Sequence, residues 1–307
     1  MKHKIFVVGS ANTDMVVRSG HIPVPGETVL GGEFLMNPGG KGANQAVAAA
    51  RLGGDVTFVA RVGDDLFGRQ DIEGYNKEGI DTQFISVDPV SPSGVALIMV
   101  DGKGENCISV AKSANDTLTP EHIKLVEPHF GSNDFLLMQL ETPLETVTYT
   151  AAAARAKGMT VILNPAPGRS LPRELLVNVN IIIPNETEAE LITGVYIDDE
   201  ASARRAADSI ADMGVDTVII TMGSKGVFVR QSGICDFIPA HKVVASDTTA
   251  AGDTFCGAFT VALSEGRTVA EAVRFGNSAA AISVTHVGAQ SSVPTREELD
   301  RTYADSI

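Results

Sequence analysis

Short runs rich in β-branched residues alternate with alanine-rich segments along most of this 307-residue chain, and no other feature narrows its possible folds as much. The runs fall at residues 5–8, 56–60, 135–138, 160–163, 181–183 and 217–221. Each is largely apolar rather than alternating, as in strands covered on both faces. Between them the spacing predicts helices over 43–52, 144–156, 201–213, 254–264 and 269–283, several ending near a glycine able to cap them. This alternation predicts a doubly wound α/β fold, with a mostly parallel central sheet flanked by helices. Apolar residues make up 44% and charged residues 20%, which fits one large core rather than a disordered or membrane-embedded chain. Length alone suggests about two domains, although single α/β domains of this size are common.

Two stretches break the rhythm. Residues 15–37 hold Pro23, Pro25, Gly26, Gly31 and Gly32 between short alternating runs, and residues 94–111 read as a hairpin around Asp101-Gly102-Lys103-Gly104. Together they predict a small antiparallel sheet projecting from a main domain made of 1–14, 38–93 and 112–307; the alternative is two surface hairpins lying flat on the core. Internal repeats, low-complexity tracts and an obvious linker are missing from the sequence.

A net charge of −14, without any Lys/Arg cluster interleaved with aromatics, argues against a nucleic-acid partner. A nest of backbone amides can still hold a phosphate on such a chain. The apolar stretch at 5–8 is too short for a signal peptide, and no segment reaches the ~18 apolar residues of a membrane span, so a cytoplasmic protein is expected. Cys107, Cys235 and Cys256 show no paired spacing and read as reduced thiols, and the six histidines lack metal-ligand spacing.

The most informative segment runs from Ser246 to Phe255 and ends in Ala250-Ala251-Gly252-Asp253-Thr254 before a helical run. Small residues there leave the helix amides open to a phosphate, and Gly252 allows close backbone approach. Asp253, beside that nest, can take a proton from an attacking hydroxyl. Read alone, it is as well explained as an N-cap.

Asn12 and Asp14 follow the first strand, and Asn37-Pro38-Gly39-Gly40-Lys41-Gly42-Ala43-Asn44 opens the first long helix. Side chains just beyond strand ends are where open α/β sheets bind ligands, and this mixture of donors and acceptors suits a polyol. The segment is not a Walker A loop, and Gly9-Ser10-Ala11-Asn12 is not a dinucleotide fingerprint. Glu141 leaves the strand predicted to run to residue 140. Asn185-Glu186-Thr187-Glu188 can help to hold a hydrated magnesium ion, or can be no more than a capping box. Residues 221–226 make a glycine turn that either accepts a nucleotide or only closes a hairpin.

In this order along the chain, the pieces resemble the ribokinase-like (PfkB) family of carbohydrate kinases over nearly the whole sequence, from Ile5 to Pro294. The stretch ending at Asn44 and the more specific one from Asp247 to Phe255 carry the resemblance. It implies an α/β sandwich with a small β-sheet lid, and lids that pair into a homodimer. It implies that Asn12, Asp14, Gly40, Lys41, Asn44 and Glu141 hold sugar hydroxyls, with Asp253 as base. The amides of Ala250, Ala251, Gly252 and Asp253 would stabilise the transferring phosphoryl group. Asn185, Thr221, Gly223, Ser224, Gly226, Gly252 and Asn277 match positions that contact ATP, and Asn185 with Glu188 those that organise Mg2+ through water. An activating K+ would map to Asp247, Thr249, Ser283, His286, Gly288 and Ser292, with the carbonyl rather than the imidazole of His286 as donor. The Asn12/Asp14 pairing resembles ribose-specific members, whereas deoxyribose-specific members tend to lack an asparagine matching Asn12; fructose and nucleoside kinases share Gly252-Asp253. The implied reaction is transfer of the ATP γ-phosphoryl group to O5 of D-ribose. Two other classes are an NAD-dependent oxidoreductase, which fits the α/β pattern without the fingerprint, and a sugar-sensing protein that binds without reacting.

Overall fold

The computed structural model describes residues 3–303; the outer ends of the segments 1–14 and 112–307 lie outside the described residues. In chain order the elements are β1 (Lys4–Val8), β2 (Asn12–Arg18), β3 (Glu33–Gly39), α1 (Lys41–Arg51), β4 (Asp55–Gly63), α2 (Leu66–Lys77), β5 (Ile85–Asp88), β6 (Gly94–Val100), β7 (Asn106–Ala111) and α3 (Pro120–Val126). Then come β8 (Phe135–Met138), α4 (Leu144–Ala156), β9 (Thr160–Leu163), α5 (Arg173–Leu176), β10 (Ile181–Ile182), α6 (Glu186–Thr193), α7 (Glu200–Asp212) and β11 (Thr217–Thr221). The chain closes with β12 (Gly226–Gln231), β13 (Ile234–Pro239), α8 (Ala251–Ser264), α9 (Val269–Ser283) and α10 (Arg296–Tyr303).

Nine strands form the large sheet in the order β13-β12-β11-β10-β9-β8-β1-β4-β5. From β11 to β5 every pair is parallel, and β12 and β13 add an antiparallel edge. Successive residues of a strand point to opposite faces, so β1 feeds two cores. Ile5 and Val7 pack on one side with residues of α1, α8 and α9, while Phe6 and Val8 pack on the other with residues of α3, α4 and α7. Covering on both faces explains why these strands are apolar along their length.

The two irregular stretches form one second sheet, in the order β3-β2-β6-β7. Its outer pairs are antiparallel, whereas the central pair β2–β6 runs parallel, because it joins two separate hairpins side by side. Every residue of β7 is exposed, so this edge strand is not packed on the core. Among the described residues no helix is long and apolar enough to cross a membrane, and all three cysteines are unpaired.

Candidate active site

The loop 240–250 delivers the chain to α8 without a capping side chain. Ala250, the residue before the helix, has φ 58°, a left-handed conformation uncommon for alanine, and no side chain bonds to the first-turn amides. Ala251 N–H donates to Thr248 O at 3.3 Å. The N–H groups of Ala250, Gly252 and Asp253 meet no protein acceptor among the described residues, which leaves donors and the positive end of the helix dipole for an anion.

Asp253 is the third residue of α8 rather than its cap, which removes the capping explanation for it. Its side chain points instead toward α1. Asn44 Nδ2 donates to Oδ2 at 3.0 Å, and Gln45 Nε2 donates to Oδ1 at 2.9 Å. Burial raises the Asp253 pKa, while Lys41, Gln45 and Asn44 pull it back down. Lys41, for its part, is raised above the ordinary lysine value chiefly by Asp253, despite its own burial. The two influence each other electrostatically without a direct ion pair, and burial is the larger influence on the acid. A carboxylate raised in this way is better matched to accepting a proton at neutral pH.

Around this pair lies a cleft of about 220 Å³ lined by Lys41, Asn164, Asn185, Glu188, Thr221, the 248 and 250–253 segment and Cys256. Asn185 and Glu188 do form the reciprocal capping box of α6, with Glu188 Oε2 accepting from Asn185 N–H at 2.9 Å. Both also line the cleft, so the two roles coexist. Burial raises the Glu188 pKa. Cys256 is buried, and desolvation raises its thiol well above the ordinary value, which disfavours the reactive thiolate.

The polar group nearest the small sheet adjoins this cleft. Asn12 and Asp14 follow the first strand as expected, as the first and third residues of β2. Asn115 fixes Asn12: its Nδ2 donates to Asn12 Oδ1 at 2.8 Å and to Ala11 O at 3.0 Å, while its Oδ1 accepts from Ala11 N–H. Asp14 rests against Gly39, where any Cβ would lie 2.3 Å from the carboxylate. Its pKa is pushed up to about 6, first by burial and then by Glu141 and Asp253. Gly40 has φ 89° and would bring a Cβ within 2.8 Å of Asn12 N, so only glycine serves there. Glu141 lies just past β8 and accepts from Lys41 N–H at 3.0 Å and from Ser10 Oγ. Asn44 Oδ1 is buried without a protein partner.

Other candidates sit apart. Gly223, Ser224 and Gly226 form the turn of the β11–β12 hairpin outside the cleft lining, with Gly226 lying where a Cβ would strike Ile238 O. Asn277 on α9 donates weakly to Pro239 O at 3.4 Å. Asp247 accepts from Thr249 N–H and Oγ1 through Oδ1 and from Gly288 N–H through Oδ2. Burial raises its pKa, but those bonds outweigh burial and hold it below the carboxylate range. The amides of Ser246 and Asp247 donate to Val284 O, which brings this loop beside Ser283, whose carbonyl accepts from His286 N–H. Ser292 lies in a further short turn, bonded to Ala289 O. Ser10, Gln45, Asn115, Gln139 and Asn164 escaped the sequence reading; Gln45 alone had a signal, its position next to Asn44.

An uncapped helix end and a buried acid at the C-terminal edge of a parallel sheet are the arrangement of an α/β phosphotransferase. The pfkB family carbohydrate kinase profile matches residues 2–296. The chain belongs to that family, whose members are carbohydrate kinases. It is 48% identical over 298 residues to the ribokinase of Haemophilus influenzae, covering 97% of both chains. A ribokinase structure from Thermotoga maritima superposes with a TM-score of 0.91 at 40% identity, covering 99% of this chain and 100% of that one. The Arabidopsis thaliana ribokinase complexed with ribose and ATP gives 0.90 at 31% identity, covering 98% of each.

Proposed function

We propose that this enzyme transfers the γ-phosphoryl group of ATP to O5 of D-ribose, giving ribose 5-phosphate and ADP. The observation that carries the reading is the Asp253 carboxylate, held by Asn44 and Gln45 beside the open amides of Ala250, Gly252 and Asp253. Likeness to enzymes named ribokinase, one of them complexed with ribose and ATP, supports the choice of substrates.

In this reading Asn12, Asp14, Gly40, Lys41, Asn44 and Glu141 bind the sugar. Asp253 takes the proton from the 5-hydroxyl as its oxygen attacks. The amides of 250–253 and the Lys41 ammonium meet the charge on the transferring group, where losing one preorganised donor of this type costs about 10²–10³ in rate. Of the predicted four amides, that of Ala251 is already engaged with Thr248. Thr221 and Asn185 line the cleft and take the nucleotide in this reading, with Gly223, Ser224, Gly226 and Asn277, which lie outside its lining, as further nucleotide contacts.

Among the described residues no cluster of three or more acidic, His or Cys side chains can hold a metal by itself. Magnesium, which keeps most of its water and binds through one or two carboxylates and phosphates, fits Glu188 and Asn185. When bound, it neutralises phosphate charge. The ionised Asp247 carboxylate, with Thr249, Ser283, His286, Gly288 and Ser292 as hydroxyl or carbonyl oxygens, suits a weakly charged cation such as potassium. Residues 15–37 and 94–111 serve as a lid, and 1–14, 38–93 and 112–307 as the kinase domain.

In-register pairing puts Val17, Phe34, Met36, Leu97 and Met99 on one face of the small sheet, opposite to Asp14, and all five are exposed. That apolar face supports a homodimer formed through the lids. Three unpaired thiols accord with the cytoplasm. The test is an ADP-release screen over ribose, 2-deoxyribose, fructose and nucleosides, with and without potassium, followed by location of the phosphate on the product. Ribose turnover with phosphate on O5 is expected; ribose binding without ADP would leave only a sugar-sensing protein.

A further inference from the structure

We propose that Gln45 is the positioning residue for the base, as the middle member of a chain of three carboxamides, Gln139, Gln45 and Asn164, that runs behind Asp253. The inference rests on the reading of Asp253 as base. Gln45 is fully buried on α1 and spends every polar atom on this chain. Its Nε2 donates to Asp253 Oδ1 at 2.9 Å and to Asn164 Oδ1 at 3.0 Å, and its Oε1 accepts from Gln139 Nε2 at 2.6 Å. Asn164 Nδ2 in turn donates to Ile183 O at 2.9 Å.

The direction of these bonds is fixed from both ends. A backbone carbonyl can only accept, so Asn164 must present Nδ2 to Ile183 and Oδ1 to Gln45. Gln45 then meets two acceptors, Asn164 Oδ1 and the Asp253 carboxylate, and only its Nε2 can satisfy both. Its Oε1 is left for Gln139. A flip of the Gln45 amide would set oxygen against two oxygens. The arrangement leaves Gln139 Oε1 buried without a partner, packed where a Cβ on Gly9 would lie 2.2 Å away.

The sheet supplies the spacing. Gly9, Gln139, Asn164 and Ile183 are each the first residue after a strand, namely β1, β8, β9 and β10, and these four strands are consecutive neighbours. Adjacent strands stand about 4.8 Å apart, a distance that carboxamides reaching sideways can bridge. The chain therefore ties the carboxylate on α8 to the C-terminal edge of the sheet, through a single side chain of α1.

For catalysis, two consequences follow. Gln45 and Asn44 take one carboxylate oxygen each, so rotation about the Asp253 Cβ–Cγ bond would break two hydrogen bonds, and the remaining lone pairs keep a set direction toward the cleft. Bonds to the ionised form also oppose the upward pull of burial on Asp253, so losing them should raise its pKa further.

The test is Gln45→Met, close in volume and without a donor, with Gln139→Met and Asp253→Asn made alongside. For Gln45→Met, kcat should fall about tenfold or more, and the acidic limb of the pH profile of kcat/KM should move to higher pH, with calorimetric ribose affinity within about threefold of the parent. Gln139→Met, which keeps the donor but frees its orientation, should change both in the same direction by less, and it carries the test if Gln45→Met does not fold. Wild-type kcat and an unmoved acidic limb in a folded variant would overturn the proposal, as would a loss confined to ribose affinity. Asp253→Asn separates the two levels. If it keeps wild-type turnover, the assignment of the base has failed; if it is inactive while both glutamine variants are normal, only the positioning role has failed.

Discussion

Burial acts in one direction on three carboxylates. It raises Asp253, holds Asp14 at about 6, and holds Asp71, on the inner face of α2, at about 7. For Asp14 the consequence is in binding. A sugar hydroxyl donates to the ionised carboxylate, so ribose affinity should fall as pH drops through 6, with the dependence lost in Asp14→Asn; calorimetric titration across that range checks it. Equal affinity on both sides of pH 6 would remove Asp14 from the sugar contacts.

Asp71 leaves Oδ2 buried without a partner, and after burial its pKa is raised by Asp65 and Asp14. Its folded-state pKa lies above the ordinary 3.8, so the folded chain holds the extra proton between those values. The stabilisation this gives is fully present below the ordinary value and is lost as pH rises through about 7. Asp71→Asn should therefore raise the melting temperature by a few degrees at about pH 8 and by much less at about pH 5, read by thermal unfolding across pH. Parallel pH curves for the two proteins would contradict this.

At the scale of elements, two glycines of α8 separate function from packing. A Cβ on Gly252 would meet nothing within 4 Å, whereas one on Gly257 would lie 2.7 Å from Ala48 Cβ and 2.8 Å from Gln45 O. Gly257→Ala should thus cost about 1–3 kcal/mol by overpacking α8 against α1. Gly252→Ala should leave stability equal or raise it by up to ~1 kcal/mol, since alanine is the better helix former. Its methyl group would nevertheless stand beside the amides proposed to hold the phosphoryl group, so kcat should fall roughly tenfold or more. Chemical denaturation and steady-state kinetics on both variants distinguish them, and an unchanged kcat for Gly252→Ala would move the phosphate away from this turn.

The elements legible in the sequence are those whose local pattern and tertiary burial agree. The strand at 160–163 and the helices at 144–156 and 269–283 have the same bounds in sequence pattern and structure, whereas the strand expected to run to residue 140 ends at Met138. By contrast, α2 is largely polar and contains Gly68 and Gly74, so its helical period is weak. Likewise, the antiparallel edge strand β13 alternates between exposed and covered residues, unlike the apolar runs that mark the interior strands. Asp253, Asn44 and Lys41 were visible because glycine-rich segments beside helices announce themselves. Gln139 and Asn164 were not, because each is a lone amide after an apolar run. Their meaning depends on which strands become neighbours, a fact of sheet order that no local window contains.

For the whole molecule, the apolar outer face of the small sheet carries a further expectation. Met99 sits on that face, away from Asp14, and is 40% exposed. Met99→Lys should shift the protein from dimer to monomer in light scattering while the fold of the large sheet persists. A parent that is monomeric at micromolar concentration would remove the lid-paired dimer from the account.

The large sheet, α1 and α8 converge on one carboxylate, and the proposed chemistry depends on it. The most direct measurement is single-turnover phosphoryl transfer to ribose by Asp253→Asn, with ribose affinity measured on the same sample. A rate lower by about 10²–10⁴ with ribose still bound is expected. A folded, ribose-binding Asp253→Asn that transfers phosphate at the parent rate would contradict it.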